Sequence, residues 1–178
     1  MGTANHREAD SEDLRDFLVK QYMAVHYAVM DQVERKTGKR PDYYKRLEMN
    51  LLEDVFGSVD EMHYNGIDFM ARLISLLIVN QALPNTNHRT TLEFANGILI
   101  RLGYKMDTSG LVDYINDSKH ILEKGYKDYR VNHYKLTEKM LTDALGAQSG
   151  RLAMMDSKSI IDSLKQLANS TGTSMSKH

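Results

Sequence analysis

The stretch Ile67–Tyr104, "IDFMARLISLLIVN" followed by "QALPNTNHRTTLEFANGILIRLGY", decides the fold. From Ile67 to Val79 the apolar residues Phe69, Met70, Leu73, Ile74, Leu76, Leu77, Ile78 and Val79 fall on every side of a helix. A helix with no polar face has nothing to offer water, so this one is predicted at the buried centre of a domain. Pro84 then breaks the run. Beyond it Leu92, Ala95, Ile98, Leu99 and Leu102 recur at helical spacing up to Gly103, predicting a second helix that begins near Asn87.

Working outward, Leu14, Phe17, Leu18, Tyr22, Val25, Val29 and Val33 predict a first helix from near Ser11 to Gly38. A second, after Pro41, carries Tyr44, Leu47, Leu51, Leu52 and Val55 and stops at Gly57. Between Gly57 and Gly66, Ser58 with Glu61 reads as a capping box and Asn65-Gly66 as a turn. Three more helices follow, marked by Leu111, Ile115 and Leu122, by Tyr129, Leu136, Met140 and Leu145, and by Ile160, Ile161, Leu164 and Leu167. No strand alternation and no long repeat is visible. The expectation is an all-α compact bundle of about six to seven helices. It forms one domain over residues 1–168, with the polar loop Pro84–Arg89 between two central helices, and 169–178 as a small, polar, disordered tail.

Bulk properties narrow the function classes. The 178 residues are 42% hydrophobic, enough for a real core, and the net charge is −1. That balance predicts no nucleic-acid partner and no anionic membrane surface. The basic, tyrosine-bearing segment "RKTGKRPDYYKR" (Arg35–Arg46) reads as a solvated connection, because Glu34, Asp42 and Glu48 interrupt its charge. The absence of cysteine excludes disulfides, thiolate metal sites and thiol nucleophiles. The longest apolar run, Leu73–Val79, is far short of the ~20 residues a membrane span needs. A polar N-terminus, with His6 where the myristoylation pattern wants Ser or Thr, completes the expectation of a soluble cytoplasmic protein. The histidines form neither H-x₃-H nor H-E-x-x-H, and no Walker loop or G-x-S-x-G is present. His26 and His133 lie near apolar helix faces and read as packed side chains.

The polar loop is the candidate site. A helix starting near Asn87 exposes unpaired N–H groups and the positive end of its dipole, where phosphate or carboxylate binds well. Arg89 in the first turn adds a planar bidentate clamp for phosphate oxygens. Asn85 and Asn87 suit a phosphate-cradling nest, or equally a capped turn. From the residues alone both readings stand, an anion site and a helix turn capped by Asn and Thr.

"QALPNTNHRTTLEFANGILIRLGY" resembles the signature of the Fic/Doc family, H-x-F-x-[DE]-G-N-[GK]-R, which in Doc-like members runs on as T-A-L. The resemblance covers about Ile67–Tyr104. It implies transfer of AMP from ATP, or of a phosphate in Doc-like members, onto a hydroxyl of a target protein. Position by position, the family's general-base histidine falls on Gln81 and its aromatic residue on Leu83. The magnesium-holding carboxylate falls on Asn85 and the following glycine on Thr86. Asn87 and the phosphate-gripping Arg89 are kept, His88 takes the Gly-or-Lys position, and Thr90 matches the Doc-like form. The second arginine of AMP-transferring members is replaced by Leu92.

The resemblance thus keeps a phosphate-binding half, Asn87 and Arg89, with Asn85, Thr86, His88 and Thr90 as further candidate phosphate-binding residues around them, and loses a proton-transfer and metal half. Glutamine is no base at neutral pH, and losing a general base costs about 10²–10⁴ in rate. An asparagine brings no charge to Mg²⁺, which prefers carboxylates, so Asn85 is a weak metal ligand at best. His88 is expected to contact phosphate, in the manner of the family's lysine, above acting as a relocated base. Residues 57–66 take, by position, the place of the family's target-docking flap. The favoured expectation is a Fic/Doc-like protein that binds ATP or another phosphorylated ligand and transfers weakly or not at all. An active transferase of altered chemistry and a non-catalytic helical interaction module are the alternatives.

Overall fold

In the computed structural model the backbone is described for residues 4–175 and side chains for 14–170. The described residues form seven helices of nine residues or more: α1 (Ala4–Thr37), α2 (Met49–Gly57), α3 (Gly66–Asn80), α4 (Asn87–Arg101), α5 (Leu111–Lys124), α6 (Tyr129–Leu145) and α8 (Ser157–Met175). A five-residue helix, α7 (Ser149–Ala153), precedes the last. No strand occurs among them, only an isolated bridge between Asn65 and Asp156. The all-α bundle expected from the periodicity is the observed architecture.

Helix α3 lies at the centre, with neighbours α6, α4, α2 and α7. Ten of its residues are buried, among them Phe69, Met70, Leu73, Ile74, Leu77 and Ile78. Its first turn is fixed by Asn65, whose side-chain oxygen accepts the Asp68 N–H at 3.0 Å. Gly66 lets α3 approach α7 closely, since a Cβ there would sit 2.3 Å from the Leu152 carbonyl oxygen. Beside α3, Tyr22 of α1, Phe56 of α2 and Phe94 of α4 meet edge to face at 5.3–5.7 Å between ring centroids. This aromatic triangle ties α1, α2 and α4 to one another.

Several boundaries differ from the sequence expectation. Helix α1 starts at Ala4, earlier than Ser11. The preceding segment lacks apolar periodicity, but no proline or glycine stops the helix there. Helix α2 starts at Met49, not just after Pro41, because the intervening backbone pairs elsewhere: Tyr44 N–H donates to Pro84 O and Glu48 N–H to Ala82 O. Ser58 and Glu61 form no capping box. The Ser58 hydroxyl donates back to Val55 O at 2.7 Å, and Val59–Glu61 is a 3₁₀ turn. The backbone of α8 continues past Asn169 to Met175, into the stretch read as a tail, and residues 176–178 lie outside those described. No helix among the described residues is long and apolar enough to cross a membrane.

Candidate functional site

The loop joining α3 to α4 is short because both helices stop abruptly. Gln81 ends α3 in the left-handed region (φ 45°, ψ 49°) and Thr86 starts α4 there too (φ 54°, ψ 26°). They are the two non-glycine residues with positive φ among those described. A β-branched residue in this region is strained by about 1–3 kcal/mol, and such strain gathers at functional loops. Thr86 stands where the resembled signature has glycine, the residue that takes this conformation freely.

Three side chains hold the strained loop. The Asn87 carboxamide accepts from Leu83 N–H at 3.0 Å and donates to Leu83 O at 3.1 Å, closing the loop on itself. Asn85 is buried, and its amide donates to the carbonyls of Asp42 (2.9 Å) and Pro41 (3.3 Å), fastening the 41–48 segment alongside the loop. The Thr86 hydroxyl meets buried His26 Nδ1 at 3.2 Å, Thr90 Oγ1 at 3.3 Å and Asn85 Oδ1 at 3.4 Å. Thr90 is itself fully buried and does not line the cleft. Neither Asn85 nor Asn87 takes the left-handed angles of a nest. Both amides are committed to backbone.

What the loop leaves open faces a cleft of about 570 Å³. Gln81, Asn87, His88 and Arg89 line one side, with Tyr44 and Lys45 from the fastened segment and Lys119 and Glu123 from α5. Thr86 makes no side-chain cap, and the first helical bond of α4 is Thr90 N–H to Thr86 O at 2.9 Å. The N–H groups of Asn87, His88 and Arg89 therefore precede any intrahelical partner, at the positive end of a 15-residue helix. Arg89 is half-buried and its guanidinium donates to the Gln32 side-chain oxygen. Tyr44 is 86% exposed, its ring free at the rim.

His88 is held toward its neutral form. Burial, then the nearby Lys119 and His133, pushes its imidazole down to about 4. Its Nε2 is 2.8 Å from the Ser118 hydroxyl, which is 2.6 Å from Nε2 of His133. His133 is fully buried and likewise pushed down to about 4 by desolvation. A contact from His88 to phosphate is then one of a neutral ring, as an N–H donor, in place of the family's charged lysine.

For Mg²⁺ the donor set fits poorly. Asn85 turns its amide nitrogen to two carbonyls and its oxygen to Thr86, and no group of three or more His, Asp or Glu that could hold a metal occurs among the described residues. The 57–66 segment contributes nothing to the cleft. It is tied to the start of α8 by Ser157, which donates from N to Tyr64 O and from Oγ to Met62 O. The segment that lies along the loop is 41–48.

The residues singled out from the sequence lie on the loop side of this cleft, and its other walls are not among them. Lys45, Lys119 and Ser118 belong to segments whose periodicity marks them only as solvated or helical, and nothing local announces that they converge on α4.

Residues 3–138 match the family described as "Family of unknown function (DUF8172)", about three quarters of the chain, and the chain belongs to that family. The matched span includes every residue named at the cleft and His133, and excludes α7 and α8. No match is found among curated proteins or among solved structures.

Proposed function

We propose that this member of a family of unknown function binds a phosphorylated ligand in the cleft at the start of α4, ATP or another nucleotide being the chemistry that the Fic/Doc resemblance favours. The observation that carries the reading is convergence: unpaired helix N–H groups, Arg89, Lys45 and Lys119 around one cleft of about 570 Å³. Such a volume is ordinary for a small-molecule site, and helix N-termini with cations are ordinary phosphate holders. The N–H groups of Asn87–Arg89 and the Arg89 guanidinium would hold phosphate, while the exposed Tyr44 ring offers a stacking face for a base. Gln81 supplies no proton acceptor, so transfer to a protein hydroxyl by the resembled route is weak or absent. No step is assigned to Mg²⁺. The setting in keeping with this reading is the cytoplasm, with a protein target or partner and no nucleic acid.

Isothermal calorimetry with ATP and with inorganic phosphate tests this. Binding by the wild type should weaken at least tenfold in Arg89→Ala, since a charged hydrogen bond is worth about 1.5–3 kcal/mol. No heat with either ligand would overturn the reading and leave the helical interaction module. Label passing from α- or γ-labelled ATP to lysate proteins would favour an active transferase instead.

A further inference from the structure

A second cleft, of about 480 Å³, opens between α3 and α6. Tyr64, Arg72, Ser75, Arg130, Tyr134 and Lys135 are among its walls, and the Arg72 guanidinium lies between the rings of Tyr64 (4.2 Å) and Tyr134 (4.5 Å). Ser75 also meets His133 Nδ1 at 2.7 Å. Continuous hydrogen bonds therefore run from this cleft to the one at α4, through Ser75 Oγ, His133 Nδ1 and Nε2, Ser118 Oγ and His88 Nε2, each link between 2.6 and 2.8 Å. Ser118 and His133 are both 0% exposed, so the middle of the chain is shielded from bulk solvent.

We propose that His88, Ser118, His133 and Ser75 form a proton wire joining the two clefts, through which His88 Nδ1 accepts a proton from an O–H group bound at α4. His88 Nδ1 is the end group: it is bonded to no described residue, and it belongs to a side chain lining the α4 cleft. The inference rests on the reading of that cleft as a ligand site.

The wire has two self-consistent polarities. In the first, His88 Nε2–H donates to Ser118, Ser118 O–H donates to His133 Nε2, and His133 Nδ1–H donates to Ser75. His88 Nδ1 then presents a lone pair to the cleft. When a ligand O–H breaks, its proton bonds to His88 Nδ1 and the Nε2 proton passes to Ser118 Oγ. The Ser118 proton moves to His133 Nε2, the His133 Nδ1 proton to Ser75 Oγ, and the Ser75 proton to water in the second cleft. One proton enters and one leaves, both histidines finish neutral, and each has exchanged tautomer. Charge is the reason to prefer this concerted path over a resting imidazolium. Burial disfavours the cation on both rings, and at His88 the nearby Lys119 disfavours it further, against the acidic Glu123 at the cleft. Ser118, His133 and Ser75 are positioning residues here, acting through His88.

In a continuous wire the Ser118 hydroxyl accepts from one Nε2 and donates to the other, so the wire requires the two neutral histidines to hold opposite tautomers. Long-range ¹H–¹⁵N spectra of the full chain at pH 7 read this directly. The expected result is two neutral rings of opposite tautomer. Inorganic phosphate should drive His88 toward Nδ1–H and His133 toward Nε2–H together. In Ser118→Ala, phosphate should move His88 and leave His133 still. Two rings of the same tautomer, an imidazolium at pH 7, or a wild-type His133 that ignores a shift at His88 would each overturn the wire. A wild type in which phosphate moves neither ring, while the tautomers remain opposite, would instead overturn the anion reading of the cleft. The opposite-tautomer relation needs no variant, so it survives if Ser118→Ala does not fold.

Discussion

The two loops that flank α3 are alike in sequence and unlike in structure. Both are short and polar, and both carry an asparagine at a helix start. In 57–65 the polar groups are satisfied within the protein: Asn65 caps α3, Ser58 closes the end of α2, and Tyr64 and Met62 bond to Ser157. Nothing there has positive φ. In 81–86 two non-glycine residues sit in the left-handed region, and the helix that follows has no side-chain cap and opens on a cleft lined by cations. Polar composition therefore does not separate the two loops. Strain together with uncapped donors beside a cavity does.

The contrast can be broken from either side. The largest effect should come from the first loop. Gly66→Ala places a Cβ against backbone, 2.3 Å from Leu152 O, and should cost roughly 3 kcal/mol or more in urea unfolding while leaving the α4 cleft's chemistry unchanged. A nearly neutral Gly66→Ala would mean that α3 and α7 are not so closely packed.

Acid should expose the second loop's surroundings next. His88 and His133 have folded values lowered to about 4, so between roughly pH 6.5 and 4 the unfolded chain binds more protons than the folded one. Stability is then fully present above pH 6.5 and is lost as pH falls, by about 2–4 kcal/mol between pH 7 and pH 5. His26, lowered by burial and by Arg40, acts in the same direction. Denaturant midpoints flat across that range would contradict neutral buried histidines.

Asn85→Asp separates structure from metal binding. It replaces an amide donor by an acceptor facing the Pro41 and Asp42 carbonyls, and should destabilise by about 2–3 kcal/mol and loosen the 41–48 segment. An unchanged midpoint would show that the amide is not fastening that segment. The smallest effect has the opposite sign. Gln81 is exposed and left-handed, so Gln81→Gly should stabilise by about 0.5–1 kcal/mol. Destabilisation by Gly would argue that the Gln81 side chain has a structural partner.

Periodicity made the bundle legible: α3's all-round apolarity marked the centre, and Pro84 with Asn87 marked the break and the restart. Boundaries failed where distant backbone overrode local preference, as when Pro84 and Ala82 took the N–H groups that would have begun α2 near Tyr44. At the site, the order of residues showed which side chains start α4, but not what they do. Asn85, Asn87 and Thr90 look alike on paper as phosphate ligands, yet the fold turns all three side chains to the protein. His133 read as packed, and it is; that it meets Ser118 and Ser75 depends on how α3, α5 and α6 come together.

The central claim is that the start of α4 receives phosphate and the start of α3 does not. Backbone ¹H–¹⁵N spectra titrated with ATP compare them in one sample. Saturable shifts at the amides of Asn87, His88 and Arg89, with Ser58–Asn65 still, are the predicted result. Amides of both loops moving equally, or neither moving at millimolar ATP, would contradict it.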